Sequence, residues 1–320
     1  MLTQLIDDTR RTLEATLAAP AFMDVASALG RHHLDGECAR ILANITTFNG
    51  LQSRLKTIKN ELSASAPACA TGDLERLLLM REQLNALPHI ASLPVSDDVK
   101  RLFCEEFQYV AAPPRSAAFD VERGSFVALS EVATLRRFPA GQLHWNRSGL
   151  PRSWLLKVRG RARLTLLAWV AGRLRGFRPV FFPHLNAHRK SRWVLTEQES
   201  NRSYYRMAQS MLKQPDVKGL VASSWLHSPD TFAVSPHLAW MNRTFLENGG
   251  LVVLMGPADP DCGVLSRSPE RQKLYDEGRF KPTTGLVIWP RRAMLDWAAR
   301  HPELAHREVP ADAGLARHAS

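Results

Sequence analysis

Hydrophobic residues recur at helical spacing through the first third of the chain. The first run, which includes Leu2, Leu5 and Leu13, is interrupted at Pro20. The predicted helices cover about 2–17, 34–62, 73–86 and 96–109, and Asp73 is the predicted cap of the third. We therefore expect residues 1–110 to form a helical region that packs on a neighbouring domain or on a second subunit.

The pattern changes after Ala111–Ala118, where two prolines preclude a continuing helix. Short apolar runs typical of strands follow, with helical runs between several of them. The predicted strands are Ser125–Leu129, Val180–Phe182, Leu220–Trp225, Leu251–Met255 and Gly285–Trp289. This alternation predicts a mixed α/β (α+β) domain over 119–300, followed by a flexible tail over 301–320.

Helix boundaries are clearest in the second half of the chain. Thr196 and Glu199 have the spacing of a capping box, and Pro215 ends the predicted helix 196–214. A second helix is predicted between Ser268 and Gly278, and a third after Pro290. The segment 153–177 fits either a helix with its apolar stripe on Leu164, Leu167, Ala168 and Ala171, or a basic hairpin that turns at Gly160.

Composition adds a broad class to this outline. Of the 320 residues, 45% are hydrophobic and 23% are charged, a balance that excludes wholesale disorder. No apolar run approaches the ~20 residues that span a bilayer, and the start of the chain lacks the features of a signal peptide. The four cysteines form no CxxC pair. We expect a cytoplasmic protein with reduced thiols.

Positive charge is concentrated in one interval. The net charge is +11, and between Glu131 and Glu197 fourteen Lys and Arg residues occur without any Asp or Glu. Such a run predicts contact with an anion: a small anionic molecule, an acyl donor, or an anionic membrane surface on which a helix over 153–177 could lie. No zinc-finger, RNA-recognition or helix-turn-helix signature accompanies it, so we do not expect nucleic acid.

Side chains capable of chemistry gather between Phe181 and Pro260. His184 and His188 are four residues apart, a spacing that lets two histidines on a helix share a metal ion. Ser224 follows a predicted strand, at the end where α/β proteins build sites, but no GxSxG surrounds it. The chain also lacks GxGxxG and Walker motifs, which excludes nucleotide binding through those loops.

Two resemblances extend this outline. Over about 137–297 the chain resembles a bacterial protein family of unassigned function. The segments that carry this resemblance are FPAGQLHWNRSGLPRSWL, PHLNAHRKSR, VKGLVASSWLHSP, SPHLAW and RQKLYDEGRFKPTTGLVIWPRR. The order Leu274-Tyr275, Gly278, Phe280 and then a strand resembles the GCN5-related N-acetyltransferases. That resemblance implies a mixed-sheet, acetyltransferase-like domain, a coenzyme A thioester as cofactor, and Tyr275 as the acid toward the departing thiolate. The family's R-x-x-G-x-G/A segment is absent.

We therefore expect an acyltransferase that acts on a small or lipid-like substrate. The expected base is His184 or His227, with Ser224 as a further candidate for the catalytic set. The expected substrate contacts are Asn186, Arg189, Lys190, Arg192 and Trp225. One alternative is a metal-dependent enzyme that uses His184, His188 and His227, and another is a non-catalytic protein whose basic face docks on an anionic partner.

Overall fold

A computed structural model describes residues 1–44, 51–63, 72–112, 125–186, 195–259, 263–265 and 268–305. The chain divides into two compact units. The N-terminal unit comprises Met1–Ser148 with Phe182–Val194, and the C-terminal unit comprises Gly149–Phe181 with Leu195–Ser320. The domain boundary that we predicted at Ala111–Ala118 falls mostly on residues outside the described part and stays a prediction.

Helices dominate the N-terminal unit, as the hydrophobic spacing predicts. They are α1 (Leu2–Leu17), α2 (Pro20–Arg31), α3 (Asp35–Ala43), α4 (Leu51–Ser63), α5 (Asp73–Ile90), α6 (Asp97–Ala111) and α7 (Ser125–Ala133). Each apolar stripe is buried against a neighbouring helix, and Leu13, Phe103 and Phe107 are almost inaccessible. A hydrogen bond of 3.1 Å from Gln108 Nε2 to Thr9 Oγ1 links α6 to α1.

Three local predictions in this unit were wrong. The predicted strand Ser125–Leu129 is part of helix α7, because Phe126, Leu129 and Val132 recur every third residue and are all buried. The predicted single helix over 34–62 ends at Ala43, where Asn44 leaves the helical region. Helix α5 continues through Pro88 to Ile90, although this proline has no N–H to complete a helical hydrogen bond to residue 84. Its N-cap is Gly72, and Asp73 is its first residue.

Six strands form one mixed sheet in the order β1-β2-β3-β4-β6-β5. Strands β3 and β4 are parallel, whereas the β1/β2, β4/β6 and β5/β6 pairs are antiparallel. The strands are β1 (Arg137–Pro139), β2 (Leu143–Gly149), β3 (Pro179–Leu185), β4 (Gly219–Ser224), β5 (Leu251–Pro257) and β6 (Thr283–Pro290). The mixed α/β prediction is confirmed, although β1 and β2 were not predicted.

Strand β5 ends the strand order and carries an irregularity. Its register against β6 shifts between Leu254 and Gly256, which marks a β-bulge, and the Leu254 side chain is exposed. The bulge locally interrupts the alternation between the two faces of the strand.

The remaining helices lie in the C-terminal unit. They are α8 (Arg152–Lys157), α9 (Gly160–Gly172), α10 (Glu197–Leu212), α11 (Pro229–Val234), α12 (Trp240–Glu247), α13 (Pro269–Asp276) and α14 (Arg291–Arg300), with 3₁₀ turns at Trp225–His227, Pro236–Leu238 and Pro302–Ala305. The helical alternative for 153–177 is therefore confirmed. The predicted tail beyond residue 305 lies outside the described residues.

Two predicted caps of the C-terminal unit are present where the sequence places them. Thr196 Oγ1 accepts a hydrogen bond of 3.2 Å from the Glu199 N–H, and Ser268 Oγ accepts one of 3.3 Å from the Arg271 N–H. Gly278, two residues after α13, has a φ of 70°, which favours glycine. Within the described residues no helix has the length and apolarity to cross a membrane.

The glycine of β6 allows an unusually close contact in the C-terminal unit. A Cβ on Gly285 would lie 2.3 Å from the backbone oxygen of His227 and 2.6 Å from its carbonyl carbon. We expect Gly285→Ala to lower the free energy of unfolding by roughly 1–3 kcal/mol, because the backbone must shift to admit the methyl group. Urea unfolding of the variant and the parent measures this difference.

A matched control is Gly172→Ala at the end of α9, where a Cβ would meet nothing within 4 Å. This variant should be neutral or more stable by up to about 1 kcal/mol, because alanine favours helix. Equal stability of the two variants would contradict the steric argument.

Candidate functional site

The chemically distinctive part of the C-terminal unit begins where β4 ends at Ser224. Ser224 Oγ accepts a hydrogen bond of 3.1 Å from the Leu226 N–H and starts the turn Trp225–His227. Ser228 Oγ accepts one of 3.2 Å from the Asp230 N–H and starts α11. Two serine caps in succession thus fix the backbone on both sides of His227.

His227 is held by a reciprocal pair of hydrogen bonds. Its Nδ1 lies 3.0 Å from Asn242 Oδ1, and Asn242 Nδ2 donates at 3.0 Å to the backbone oxygen of His227. Because the amide oxygen accepts, Nδ1 carries the proton and Nε2 carries the lone pair. The ring of Phe245 meets the imidazole edge to face, with centroids 5.6 Å apart. The ring orientation and tautomer are therefore fixed together.

Burial keeps this imidazole neutral. It lowers the pKa of His227 to about 4, although the Asn242 hydrogen bond favours the protonated form and partly offsets the effect. Nε2 makes no hydrogen bond to any residue in the described ranges, and the residue keeps 4% of its surface exposed. The arrangement can accept a proton from a group that reaches Nε2.

A chain of hydroxyl groups starts next to His227. Ser228 Oγ lies 2.5 Å from Thr283 Oγ1, which donates at 2.6 Å to Asp230 Oδ2. Ser228 is fully buried and Asp230 is exposed, so the chain links the interior to solvent. The sequence gives no pattern for this connection, because Thr283 is 53 residues from Asp230.

Two other predicted residues of this unit have different surroundings. Trp225 is 8% exposed and lies under the guanidinium group of Arg271, which is 4.9 Å from the ring centroid. Arg271 is itself buried and donates to the Val264 oxygen and to Ser235 Oγ. Tyr275 is 37% exposed on α13, and its hydroxyl makes no hydrogen bond within the part of the chain that the structure describes. The roles predicted for Trp225 and Tyr275 stay predictions.

The second predicted histidine belongs to the N-terminal unit. His184, on β3, donates from Nε2 to Asn146 Oδ1 on β2 at 3.1 Å. Burial is the main cause that lowers its pKa to about 4, and the charges of Arg137 and His144 lower it further. A proton on this ring would therefore face a neighbouring positive charge.

Asn186 is used within the fold of the same unit. Its Nδ2 lies 3.3 Å from both Glu106 Oε1 and the Gly141 oxygen, and its backbone N–H donates to the Gln142 oxygen at 3.0 Å. These bonds anchor the residue that follows β3. The substrate contact that we predicted for Asn186 stays a prediction, with only its Oδ1 unbonded among the described residues.

A cavity of about 500 Å³ opens beside His184's partner Asn146. It is lined by Glu131, Leu135, Arg136, Phe138, Asn146 and Arg147. Leu135 has a φ of 56°, a left-handed conformation that a leucine rarely adopts. The sequence did not lead us to predict this cavity. Its one indication was that Arg136 and Arg147 lie between Glu131 and Glu197, the acid-free interval of the chain.

Charge in the cavity is partly compensated. Glu131 forms an ion pair with Arg137, so it does not neutralise the lining arginines. Arg136 donates to the Leu42 and Ala43 backbone oxygens at 3.0 and 3.3 Å. These neutral acceptors leave its charge in place. Asn146 makes no other hydrogen bond to a described residue, and its Nδ2 is therefore a donor available to a ligand.

Four predicted residues, His188, Arg189, Lys190 and Arg192, lie outside the described residues. Among those described, no group of three His, Cys, Asp or Glu side chains could hold a metal ion. The metal-dependent alternative, which needs His188, stays a prediction. Comparison with known proteins identifies no relative: no family model, no curated protein and no solved structure matches the chain.

The lowered pKa values of His184 and His227 generate a prediction about acid. We expect both rings to be neutral at pH 7 and to titrate at about 4 in the folded protein. An unfolded histidine titrates near ~6.5, so the unfolded chain binds more protons below that value. The free energy of unfolding should therefore fall as the pH is lowered from about 6.5 toward 4, by up to ~1.4 kcal/mol per pH unit for each ring.

NMR titration of the ring protons measures both midpoints, with His184→Gln and His227→Gln to assign the signals. Dispersed methyl resonances at each pH show that the protein is still folded. A midpoint near 6.5 for either ring in the folded protein would refute the predicted shift.

Proposed function

We propose that this protein transfers an acyl group from a coenzyme A thioester to an amine or hydroxyl group of a small or lipid-like acceptor, with His227 as general base. The observation that carries the proposal is the geometry of His227: Asn242 holds Nδ1–H, and the Nε2 lone pair has no hydrogen bond within the described residues. A base of this kind is preorganised, because no rearrangement is needed before it accepts a proton.

The reaction balances without any further reagent. The acceptor's nitrogen or oxygen attacks the thioester carbonyl while Nε2 of His227 takes its proton. The tetrahedral intermediate then expels the thiolate, the carbon–sulfur bond breaks, and the thiolate is protonated. By the resemblance to GCN5-related N-acetyltransferases, Tyr275 is the candidate acid for the last step. The mixed sheet is the fold class that this resemblance implies.

His227 is a better candidate for the base than His184. A proton on His184 would be disfavoured by the charge of Arg137, whereas the Asn242 hydrogen bond favours a proton on His227. Both rings have a low pKa, so each is fully in the basic form at pH 7.

The donor's phosphates need positive contacts. The first turn of α10 is unsuitable, because Glu197 and Glu199 place carboxylates at the helix N-terminus. The contacts predicted from the sequence, Arg189, Lys190 and Arg192, lie outside the described residues and stay predictions.

The test uses acyl-CoA thioesters of several chain lengths with a panel of amine and alcohol acceptors, and follows release of free thiol. We expect His227→Gln to lower kcat by roughly 10²–10⁴-fold, the usual contribution of a general base. His184→Gln is the matched control, the same substitution at a half-buried histidine of the other unit, and it should keep the parental kcat.

Donor binding is measured separately by thermal unfolding. A thioester at about 100 times its Kd stabilises the folded state by ~2.7 kcal/mol. The proposal is refuted if no acyl-CoA shifts the unfolding temperature, or if folded His227→Gln retains the parental rate.

We propose a second function for the N-terminal unit, the binding of a small oxyanion in its cavity. The specific observation is that Asn146 Nδ2 is an available donor beside Arg136 and Arg147, with Glu131 already paired. The apolar lining by Leu135 and Phe138 suits a carboxylate or phosphate attached to a hydrophobic group.

Calorimetric titration with benzoate, against the neutral isostere benzamide, tests this function. Asn146→Asp should weaken benzoate binding by roughly 10-fold or more, because a carboxylate replaces the donating amide. Asn60→Asp, on an exposed residue of α4 in the same unit, should leave the affinity unchanged. Equal binding of benzamide, or an unchanged affinity in Asn146→Asp, would contradict the proposed site.

A further inference from the structure

Helix α9 exposes the apolar stripe that the helical reading of the sequence predicts for it. Leu164, Leu167, Ala168 and Ala171 share one side of the helix, and all four are exposed, with Leu164 at 68% and Leu167 at 41%. The packing is instead made by Leu166 and Val170, which are buried on another side. Helix α9 therefore has two apolar faces, and one of them points away from the core. We refer to the exposed face as the α9 stripe.

Further large apolar side chains of the same segment are exposed. Leu156, at the end of α8, is 69% exposed, and Phe177, after α9, is 40% exposed. Scattered single leucines are ordinary on protein surfaces, but here four large apolar side chains fall within 156–177. Their concentration indicates a surface that is covered in the working state of the protein.

The surrounding charge has one sign. The segment 149–181 contains eight Lys and Arg residues and no Asp or Glu, and all eight are exposed. These residues are Arg152, Lys157, Arg159, Arg161, Arg163, Arg173, Arg175 and Arg178. At about 100° per residue, Arg161 and Arg163 fall on opposite sides of the α9 stripe. An apolar strip with a guanidinium group along each side is the pattern of a helix that lies in a membrane interface.

We propose that the segment 152–178 docks on the surface of an anionic lipid bilayer, with the α9 stripe inserted at the boundary between headgroups and acyl chains. The leucines supply the hydrophobic part of binding, and the arginines remain among the lipid phosphates. The guanidinium carbon of Arg152 lies over the Phe177 ring, 5.3 Å from its centroid. A positive charge and an apolar side chain are therefore adjacent at this point.

The composition favours a bilayer over other anionic partners. Nucleic acid would use the positive charges but has no apolar phase for Leu156 and Leu164. A protein partner would accept the leucines in an apolar groove. It would also need acidic residues placed opposite the eight positive charges of 149–181 that surround the leucines. A bilayer containing acidic lipid satisfies both requirements with a single surface, since its charges are mobile and its interior is apolar.

Co-sedimentation of the full chain with vesicles tests the proposal. We expect binding to vesicles with about 30 mol% phosphatidylglycerol and little binding to pure phosphatidylcholine. Leu164→Gln with Leu167→Gln should weaken the partition coefficient by at least roughly 10-fold. Removal of one charge, in Arg161→Gln or Arg163→Gln, should weaken it by roughly 5-fold. Added salt should reduce binding without abolishing the contribution of the leucines.

Matched controls lie on other exposed surfaces of the same unit. Leu212→Gln removes a leucine that is 54% exposed on α10, and Arg292→Gln removes an arginine side chain that is 94% exposed on α14. Neither variant should change vesicle binding. Circular dichroism and thermal unfolding confirm that every variant is folded.

Three outcomes would overturn the proposal. The first is equal affinity for neutral and acidic vesicles, or no binding to either. The second is vesicle binding that disappears in salt and is insensitive to the leucine variants, which would indicate purely electrostatic adsorption on the headgroups without insertion of the α9 stripe. The third is self-association that is lost in the Leu164/Leu167 variant while vesicle binding is absent, which would identify the stripe as a contact between copies.

Discussion

The C-terminal unit depends on the contact between β6 and the backbone of His227. Gly285 leaves no side chain between the strand and the turn Trp225–His227, so two backbone segments meet where a methyl group would not fit. The same turn is held by Asn242 on α12 and by the ring of Phe245. Phe245 in turn contacts Tyr204 and Trp289. The position of one imidazole is thus set by the packing of the unit's aromatic core, and a change in that packing is transmitted directly to the candidate base.

The acid-free interval serves different purposes in the two units. Arg137, at its start, is half-buried and forms an ion pair with Glu131, the last acid before the interval. Arg136 satisfies two backbone carbonyls of α3. The eight positive residues of 149–181, by contrast, are all exposed. A single compositional feature therefore contains both structural arginines, whose charge is compensated locally, and surface arginines, whose charge acts on solvent and partners.

The sequence predicted the starts of capped helices well, because a cap and the N–H group that it binds are only a few residues apart. Thr196 and Ser268 specify helix starts by accepting hydrogen bonds from N–H groups three positions away, and Pro269 takes the first helical position after Ser268. Strands β1 and β2 were missed, because their residues pair through tertiary contacts and lack a bounded apolar run. The reverse error at Ser125–Leu129 arose because a short apolar run fits a strand and a buried helix equally well.

The candidate sites show the same limit. Histidines 184 and 227 could be selected from the sequence as chemically capable, but Asn146 and Asn242, which fix their tautomers, are 38 and 15 residues away. No periodicity or motif connects such pairs, since the sheet and the core bring them together. The α9 stripe was recognised as a helical pattern, but whether it faces the core or an anionic surface was left open. Amphipathic spacing shows that a helix has an apolar face, and only the packing shows whether that face is inside.

The bulge in β5 has a bearing on how this chain avoids joining its own copies. β5 is the last strand of the sheet order, and such a strand offers unpaired backbone groups to any other extended chain. The register shift between Leu254 and Gly256 interrupts the regular row of backbone donors and acceptors along β5. The interruption lies beside exposed Leu254, an apolar side chain that would otherwise favour pairing with another strand. The bulge in β5 therefore disfavours the addition of a further strand to the sheet, and with it fibrous aggregation.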